Sequence, residues 1–507
     1  LYVGSGLHSI RMSSFEQDRL YINEKGSFKK AENIFKNANN TSCVKPYDYD
    51  NDGDLDLFIG NRSNPSDFGS KVKSYLLNND GKGNFTPDKN FVLESKVTDA
   101  IWSDINNDNV KDLIITTEWD TPKVYLNNKG TLEQQKTPIS NGLWQTVTTF
   151  DIDNDGDLDI AYTGRNGAID RPLKIYNNSG IGFVDAGIEL DGSEGGDLEW
   201  VDYDNDGDLD IYMASGGVEL SQYSDLLYDV LALNDGNGNF TTTNQKLPNT
   251  EARSSTGAVA HGDIDGDGDQ DVFLINQPPN PGVFSPISGM DWRDTLFSCR
   301  LYENIDNQFL DVTKKAGVLQ HGYGLSATAA DYNKDGWVDI YVSNDYEAPD
   351  FLYINQKDGT FKNTINSSMQ QISYFSMGSD AQDIDNDGWI DLVALDMVAE
   401  DNYRLKANMG GMEPEKFWQI YHAGGHRQYM FNSLQLNRGV DQEGTLRFSN
   451  IAQLAGVSNT DWSWAPLLAD FDNDGHKDLF ITNGIKRDLK NSDAIRQTQT
   501  LVQEQAD

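Results

Sequence analysis

The sequence predicts an all-β fold: a seven- or eight-bladed β-propeller with small helical insertions. Three observations predict it. An acidic motif, Asp-x-[Asp/Asn]-x-Asp-[Gly/Asn]-x-x-Asp, recurs eight times, starting at Asp48, Asp104, Asp151, Asp202, Asp263, Asp331, Asp383 and Asp470. A short apolar run follows each copy, as in Leu57-Phe58-Ile59, Leu113-Ile114-Ile115, Ile211-Tyr212-Met213 and Leu479-Phe480-Ile481. Behind most copies comes a turn-and-return pattern, seen at Leu20–Phe28, Tyr75–Phe85, Leu231–Phe240 and Phe351–Phe361.

Each part of the repeat translates into structure. Apolar residues at consecutive positions mean a strand buried on both faces, as in stacked sheets. An apolar strand, an Asn/Asp/Gly turn and a returning aromatic make a β-hairpin. Roughly 50 residues then hold about four short strands, the content of one propeller blade. Leu1-Tyr2-Val3-Gly4 aligns with Leu57-Phe58-Ile59-Gly60, so the propeller, residues 1–488, is expected to start in mid-blade. Pairing of N- and C-terminal strands in one blade would close the ring and leave no free edge. Two stretches break the rhythm, residues 277–298 and 399–431, and Glu413–Tyr421 within the second reads as helical. Residues 489–507 read as a C-terminal helical segment, with Ser492 or Asp493 as its N-cap.

Composition narrows the partners. The formal net charge is −40, which repels nucleic acid and anionic membranes and opposes compaction unless cations offset it. No run of 18 apolar residues occurs, so no segment reads as a transmembrane helix. Cys43 and Cys299 are too few for a disulfide framework; they either pair or stay free.

The acidic loops have the chemistry of a calcium site. Calcium takes six to eight oxygen ligands in flexible geometry. Carboxylates or amides at positions 1, 3, 5 and 9 and the main-chain carbonyl of position 7 supply such a set. The eight sets are Asp48, Asp50, Asp52, Asp54 and Asp56; Asp104, Asn106, Asp108, Val110 and Asp112; Asp151, Asp153, Asp155, Asp157 and Asp159; Asp202, Asp204, Asp206, Asp208 and Asp210; Asp263, Asp265, Asp267, Asp269 and Asp271; Asp331, Asn333, Asp335, Trp337 and Asp339; Asp383, Asp385, Asp387, Trp389 and Asp391; and Asp470, Asp472, Asp474, His476 and Asp478. Position 6 must turn with positive φ, and it is Gly in seven loops and Asn109 in the eighth. Position 7 varies freely, as expected if only its main chain coordinates. An EF-hand is excluded because its position 12 needs a bidentate Glu, whereas here that position holds Ile59, Ile115, Tyr162, Met213, Leu274, Val342, Ala394 or Ile481. Up to eight Ca²⁺ are expected, bringing the formal charge from −40 to −24. Magnesium, which demands stricter octahedral geometry, is disfavoured.

Segments such as Asp151-Ile-Asp-Asn-Asp-Gly-Asp-Leu-Asp-Ile160 and Phe375-Ser-Met-Gly-Ser-Asp-Ala-Gln-Asp-Ile-Asp-Asn-Asp-Gly388 resemble FG-GAP/VCBS repeats. That resemblance implies the calcium-bearing blades of integrin-α-like propellers and of bacterial surface proteins. The closing segment from Trp462 to Asp488 is similar to bacterial relatives of cartilage acidic protein, in which an ASPIC/UnbV domain often follows. It implies an extracellular or cell-surface setting, and in some Gram-negative members a lipoprotein beside an outer-membrane TonB-dependent transporter complex.

No catalytic constellation stands out: HExxH, GxSxG and a phosphate-binding Gly-Lys loop are all missing from the sequence. His422 and His426 have helix-face spacing, but Gly424 and Gly425 between them favour a glycine-rich loop with exposed histidines. Trp102, Trp144, Trp200 and Trp464 lie shortly before acidic loops and read as strand core, whereas Trp119, Trp292 and Trp418 lie in loops or insertions and suit recognition. The expected function is a calcium-stabilised extracellular adhesion or assembly scaffold recognising protein or glycan, with the two insertions as the partner-specific surface. A lectin-like carbohydrate-capture component of an uptake system is the second reading. A polysaccharide lyase or hydrolase is the third.

Overall fold

Every acidic motif that the structure describes within one sheet connects the first two strands of that sheet as a hairpin loop. The computed structural model describes residues 2–3, 18–24, 27–30, 35–37, 39–64, 67, 69–165, 173–180, 182–188, 190, 198–216, 220–248, 253, 255–277, 298–320, 322–400, 402–408, 413–471 and 474–483. The position-9 aspartate opens the second strand, opposite the residue just before the motif. That register recurs as Tyr47↔Asp56, Ser103↔Asp112, Phe150↔Asp159, Gly262↔Asp271, Ala330↔Asp339, Gln382↔Asp391 and Ala469↔Asp478.

The chain divides into two units, residues 1–194, 206–211 and 230–243 in one and residues 195–205, 212–229 and 244–507 in the other. In the first, Tyr2–Val3, Arg19–Glu24 and Ser27–Lys30 form a three-stranded sheet. Asn40–Tyr47, Asp56–Ser63, Lys73–Asn79 and Phe85–Pro87 pair in that order, with Leu93–Glu94 added to the third strand. Two more repeats, Val97–Gln135 and Gly142–Asp185, each supply four strands, and Glu118↔Leu143 joins them. The second unit holds four-stranded sheets spanning Ser255–Asp311, Tyr323–Asn363 and Ser379–Asn450, and a three-stranded sheet of Met397–Val398, Asp461–Ala469 and Asp478–Asn483. These antiparallel sheets are the blades of an all-β propeller. The strands of the Asp202 repeat are divided between the two units.

The core lies between the faces of successive sheets, which is why the strands are apolar at consecutive positions. Phe273, Ile275 and Leu301 of one sheet pack against Ile340, Val342, Phe351 and Tyr353 of the next, all below 3 % exposure. Phe58 and Leu76 meet Leu113, Ile115 and Tyr125 in the same way. Asp339–Asp345 is buried along its whole length.

The expected helix in the second insertion runs Pro414–His422. Pro414 at its first position costs no hydrogen bond, and Gly424 with φ 99° turns the chain out, its Gly425 N–H capping the Ile420 carbonyl at 3.0 Å. A second helix, Asn402–Asn408, precedes it. Most of the 277–298 insertion, including Trp292, and the whole 489–507 segment lie outside the described residues. Cys43 and Cys299 are free thiols, and burial pushes both up to about 12.

Two buried carboxylates hold corresponding corners. Asp229 accepts from Tyr212 Oη at 3.0 Å and Ser215 N–H at 2.8 Å. Asp350 accepts from Tyr341 Oη, from Ser376 Oγ at 2.8 Å and from Asn344 N–H at 2.8 Å. Burial pushes both up to about 7 from the ordinary 3.8. A raised folded-state value means the folded chain binds more protons than the unfolded chain between about pH 4 and pH 7. Their contribution is complete below that window and is lost as pH rises through it. Stripped of divalent ions by desalting, the protein should melt higher at pH 5 than at pH 8, and Asp350→Asn should narrow the gap. An equal gap in the variant would remove Asp350 from this account.

Candidate metal centre

The nine-residue loops are shaped by their own carboxylates. At position 1, Asp48 turns inward and accepts from Asp52 N–H and Gly53 N–H, each at 3.1 Å. Asp104, Asp151, Asp331, Asp383 and Asp470 accept from the same two positions of their own loops. The position-5 carboxylate accepts from the position-7 N–H, as in Trp389 N–H to Asp387 at 2.8 Å. At position 9, each oxygen takes one backbone N–H: for Asp339, Tyr332 N–H at 3.0 Å and Asn355 N–H at 2.8 Å.

In the seven loops described at both positions, two residues sit at positive φ. Position 6 was the expected one, with φ from 83° at Gly388 to 100° at Gly53 and 64° at Asn109. Position 4 is the unexpected one: Asn51, Asn107, Asn154, Asn205, Lys334 and Asn386 lie between 56° and 60°, and Gly266 lies at 80°. Asn tolerates this region better than other side-chain-bearing residues, which explains its prevalence there. The signal was legible as Asn or Gly at position 4 of every loop but one.

This folding brings carboxylates together. In four loops, oxygens from positions 1, 3 and 9 lie within 4.8 Å of one another: Asp48, Asp50 and Asp56; Asp151, Asp153 and Asp159; Asp263, Asp265 and Asp271; Asp383, Asp385 and Asp391. Each group can hold a metal ion. One oxygen each of Asp54, Asp153 and Asp269 is buried without a hydrogen-bond partner, as a donor set for a cation would leave it. Burial, helped by neighbouring aspartates, pushes Asp56, Asp159 and Asp271 up to about 6. Uncompensated charge of this kind favours a hard divalent ion with oxygen ligands.

The other loops differ. In the Asp104 and Asp331 loops the position-3 amide donates to the position-5 carboxylate, Asn106 to Asp108 at 3.1 Å and Asn333 to Asp335 at 3.0 Å. Lys357 Nζ also lies 3.4 Å from Asp335. Asp472 lies outside the described residues, and the Asp202–Asp210 loop passes from one unit into the other.

Position 7 is less free than its variability suggests, because its side chain meets position 4 of the preceding loop. Asn107 Nδ2 donates to Asp157 at 2.5 Å and Asn154 Nδ2 to Asp208 at 2.5 Å. Asn386 Nδ2 lies 3.0 Å from His476 Nδ1, so this exposed histidine has a partner. Where position 7 is tryptophan, position 4 changes with it. Lys334 Nζ sits 4.5 Å from the centre of the Trp389 ring, and a side chain at Gly266 would collide with Trp337.

Sequence reasoning also missed a buried asparagine in the third strand of six repeats. Asn355 Nδ2 donates to Ile264 O, at position 2 of the preceding loop, at 2.8 Å and to Val338 O of its own loop at 3.3 Å. Asn127, Asn178, Asn234 and Asn437 bridge in the same way, reaching Tyr49, Ile105, Ile152 and Tyr332. Asn304 reaches Tyr203 O at 2.8 Å. The side chain thus fastens one loop to the loop before it, while its backbone N–H holds the position-9 carboxylate.

Two other expectations are corrected. His426 is buried, not exposed, with Nε2 3.1 Å from Met369 O, while His422 ends its helix in solvent; the pair does not form a metal site. Trp464 is 45 % exposed, and Trp462 is the buried residue of that strand, because a register shift between Ser463 and Pro466 breaks the alternation. Trp102 and Trp144 are buried and Trp200 is half-buried; Trp418 is exposed, as its insertion position suggested, and Trp119 is exposed too, although it lies near the end of strand Asp112–Asp120 and not in a loop.

No curated protein matches the chain. Among solved structures, it is similar to an Agrocybe aegerita lectin described as recognising non-reducing terminal N-acetylglucosamine, at 17 % identity and a TM-score of 0.35, covering 72 % of this chain and 90 % of the lectin. The V. cholerae biofilm matrix protein Bap1 is similar at 10 % identity and a TM-score of 0.42, with 96 % and 89 % covered. Rhamnogalacturonan lyase YesW is similar at 11 % and 0.36, with 88 % and 74 % covered. The FG-GAP-like repeat model matches residues 48–115, 104–162, 151–213, 202–274 and 331–394. Those segments make up more than half of the sequence and contain the converging carboxylates, so the chain belongs to the FG-GAP-like repeat family.

Proposed function

We propose that this chain is a calcium-stiffened binding scaffold working outside the cell, where it recognises protein or glycan through loops carried on rigid blades. The observation that carries the reading is the convergence of three carboxylate oxygens within 4.8 Å in four separate repeats. Repetition favours a structural ion, since catalysis needs one site and a ring of blades needs many joints. Millimolar extracellular calcium saturates even weak oxygen-ligand sites, which supports an exterior setting. Binding rather than catalysis is the reading for the recurring acids, because each has a place in a loop or a metal group.

Equilibrium dialysis against calcium, with metal counted by mass spectrometry, tests this. At least four ions per chain are expected, and Asp383→Ala should remove one while hydrogen exchange accelerates mainly in residues 379–394. A chain that retains no calcium at millimolar concentration, or a variant that loosens all repeats equally, would defeat the reading.

A further inference from the structure

The second insertion builds a surface that the metal loops do not explain. On helix Pro414–His422, Trp418 stacks on His422 at 5.9 Å and meets Tyr421 edge-on. Phe417 contacts Tyr429 at 5.3 Å, and Tyr429 stacks on Phe431 at 5.7 Å. A second run of rings passes from Tyr323 to Tyr346, then to Phe375 and Tyr374. The two runs are tied together: Ile372–Ser373 pairs in parallel with Gln428–Tyr429, Tyr374 N–H donates to Tyr429 O at 3.0 Å, and Lys416 pairs with Glu347. None of these rings is fully buried, and Trp418 and Tyr346 are 52 % and 37 % exposed. Aromatic surface left in water on this scale marks a binding face.

Tyr346 is also held at φ 64°, a conformation costly for an aromatic residue. Seven residues beyond its position-9 aspartate, it matches Trp119 in another repeat, which has φ 59° and 57 % exposure. Two repeats thus force an aromatic ring outward at the same point.

The polar groups select the occupant. Among the described residues, the hydroxyls of Tyr323, Tyr346 and Tyr429 have no protein partner. Glu347 Oε2 and Gln428 Oε1 are likewise unpartnered, and Gln428, only 2 % exposed, donates its amide to Tyr346 O and Ala348 O on either side of Glu347. The tyrosine hydroxyls, which both donate and accept, suit hydroxyl-bearing ligands. Both nearby cations are engaged, Lys416 with Glu347 and Arg427 with the Tyr421 ring and its hydroxyl. Among the described residues of the ledge the ammonium of Lys416 is already paired, so in a chain of net charge −40 a sulfate or uronate would meet only the ring-bound guanidinium of Arg427.

Resting on the reading of the chain as a binding scaffold, we propose that this ledge binds a neutral glycan. Pyranose faces stack on Trp418 and Tyr346, and their hydroxyls exchange hydrogen bonds with the tyrosines. Pyranoses suit it because they offer an apolar C–H face and a hydroxyl rim together.

Affinity electrophoresis of the calcium-loaded chain tests the proposal, using gels that contain mixed-linkage β-glucan, xylan, galactomannan or dextran, with polygalacturonate as the anionic control. At least one neutral polymer should retard the protein and polygalacturonate should not. Trp418→Ala and Tyr346→Ala should each weaken retardation about tenfold or more, as for central aromatic contacts, while Leu454→Ala on an exposed site outside the ledge leaves it unchanged. Retardation by none of the four neutral polymers, retardation by polygalacturonate alone, or full retardation of the ledge variants would overturn it. Melting curves of the same samples with and without calcium separate the two ideas. A calcium-dependent melt without glycan binding discards the ledge and keeps the scaffold; glycan binding lost in the ledge variants without a calcium-dependent melt does the reverse.

Discussion

Removal of divalent ions is expected to lower the melting temperature by about 10–20 °C, with each unit affected. The size follows from mass action. An ion present at about a hundred times its dissociation constant adds roughly 2.7 kcal/mol per site. Each unit contains two of the described carboxylate groups, those at Asp48 and Asp151 in the first and those at Asp263 and Asp383 in the second. Two sites give about 5 kcal/mol per unit, and a unit of this size shifts by roughly 2–4 °C per kcal/mol. Electrostatics reinforces the direction, since carboxylates pushed up to about 6 at Asp56, Asp159 and Asp271 carry an unrelieved burial cost at neutral pH without a cation. Calorimetry at pH 7.5 in excess EGTA and then in millimolar calcium measures the shift. Magnesium at equal concentration should restore only a small part of it, because the site lacks the strict octahedral frame that ion prefers. A melt indifferent to chelation would leave the clustered aspartates without a structural purpose.

The metal-ion and pH effects run in opposite directions, which gives a check on both. Protonation relieves Asp229 and Asp350 as pH falls, so the ion-free chain gains stability toward pH 5. Protons compete with the cation for the loop carboxylates over the same range, so the stabilisation by calcium shrinks there. The two melting curves should converge at low pH.

How much of this was legible in the sequence depended on whether a residue's role was local. Positions 1, 5 and 6 of each loop act on neighbours a few residues away and one oxygen of position 9 closes the same loop, so the loop, its sharp turn and the strand after Asp56 or Asp339 were readable from spacing. Position 4 was equally local, yet Asn51 or Asn386 looked like ordinary turn filler because its positive φ leaves no mark beyond residue type. The contact from Lys334 to Trp389 was hidden for another reason. It joins residues 55 positions apart, and each is unremarkable in its own loop. Trp464 misled because its place shortly before an acidic loop was read as strand core, whereas the strand shifts register between Ser463 and Pro466. The aromatic ledge was visible only as an insertion with a helix; what assembles it is Tyr323, Tyr346 and Phe375 arriving from other strands and turns.

The buried asparagine gives the sharpest test of how repeats are joined. Asn355 is 2 % exposed, and its amide donates to two carbonyls that have been withdrawn from water, Ile264 O at 2.8 Å and Val338 O at 3.3 Å. In the unfolded chain those carbonyls bond to solvent, so losing the donor costs their desolvation as well as the bonds. Asn355→Ala should therefore destabilise by about 2–4 kcal/mol. Its backbone N–H still holds Asp339 at 2.8 Å, so the loss should not come from that carboxylate. Asn355→Asp should be worse, because it sets an acceptor against two acceptors near the Asp331 loop. Asn84, an exposed turn residue whose amide reaches only Asp80, is the control and should change stability by less than about 0.5 kcal/mol when replaced with Ala. Urea midpoints for the three variants, taken with and without calcium, decide it. If Asn355→Ala and Asn84→Ala unfold at the same denaturant concentration, adjacent loops are not fastened through this side chain. If Asn355→Ala also weakens calcium retention by the Asp263 loop, the asparagine transmits the order of one metal site to the next.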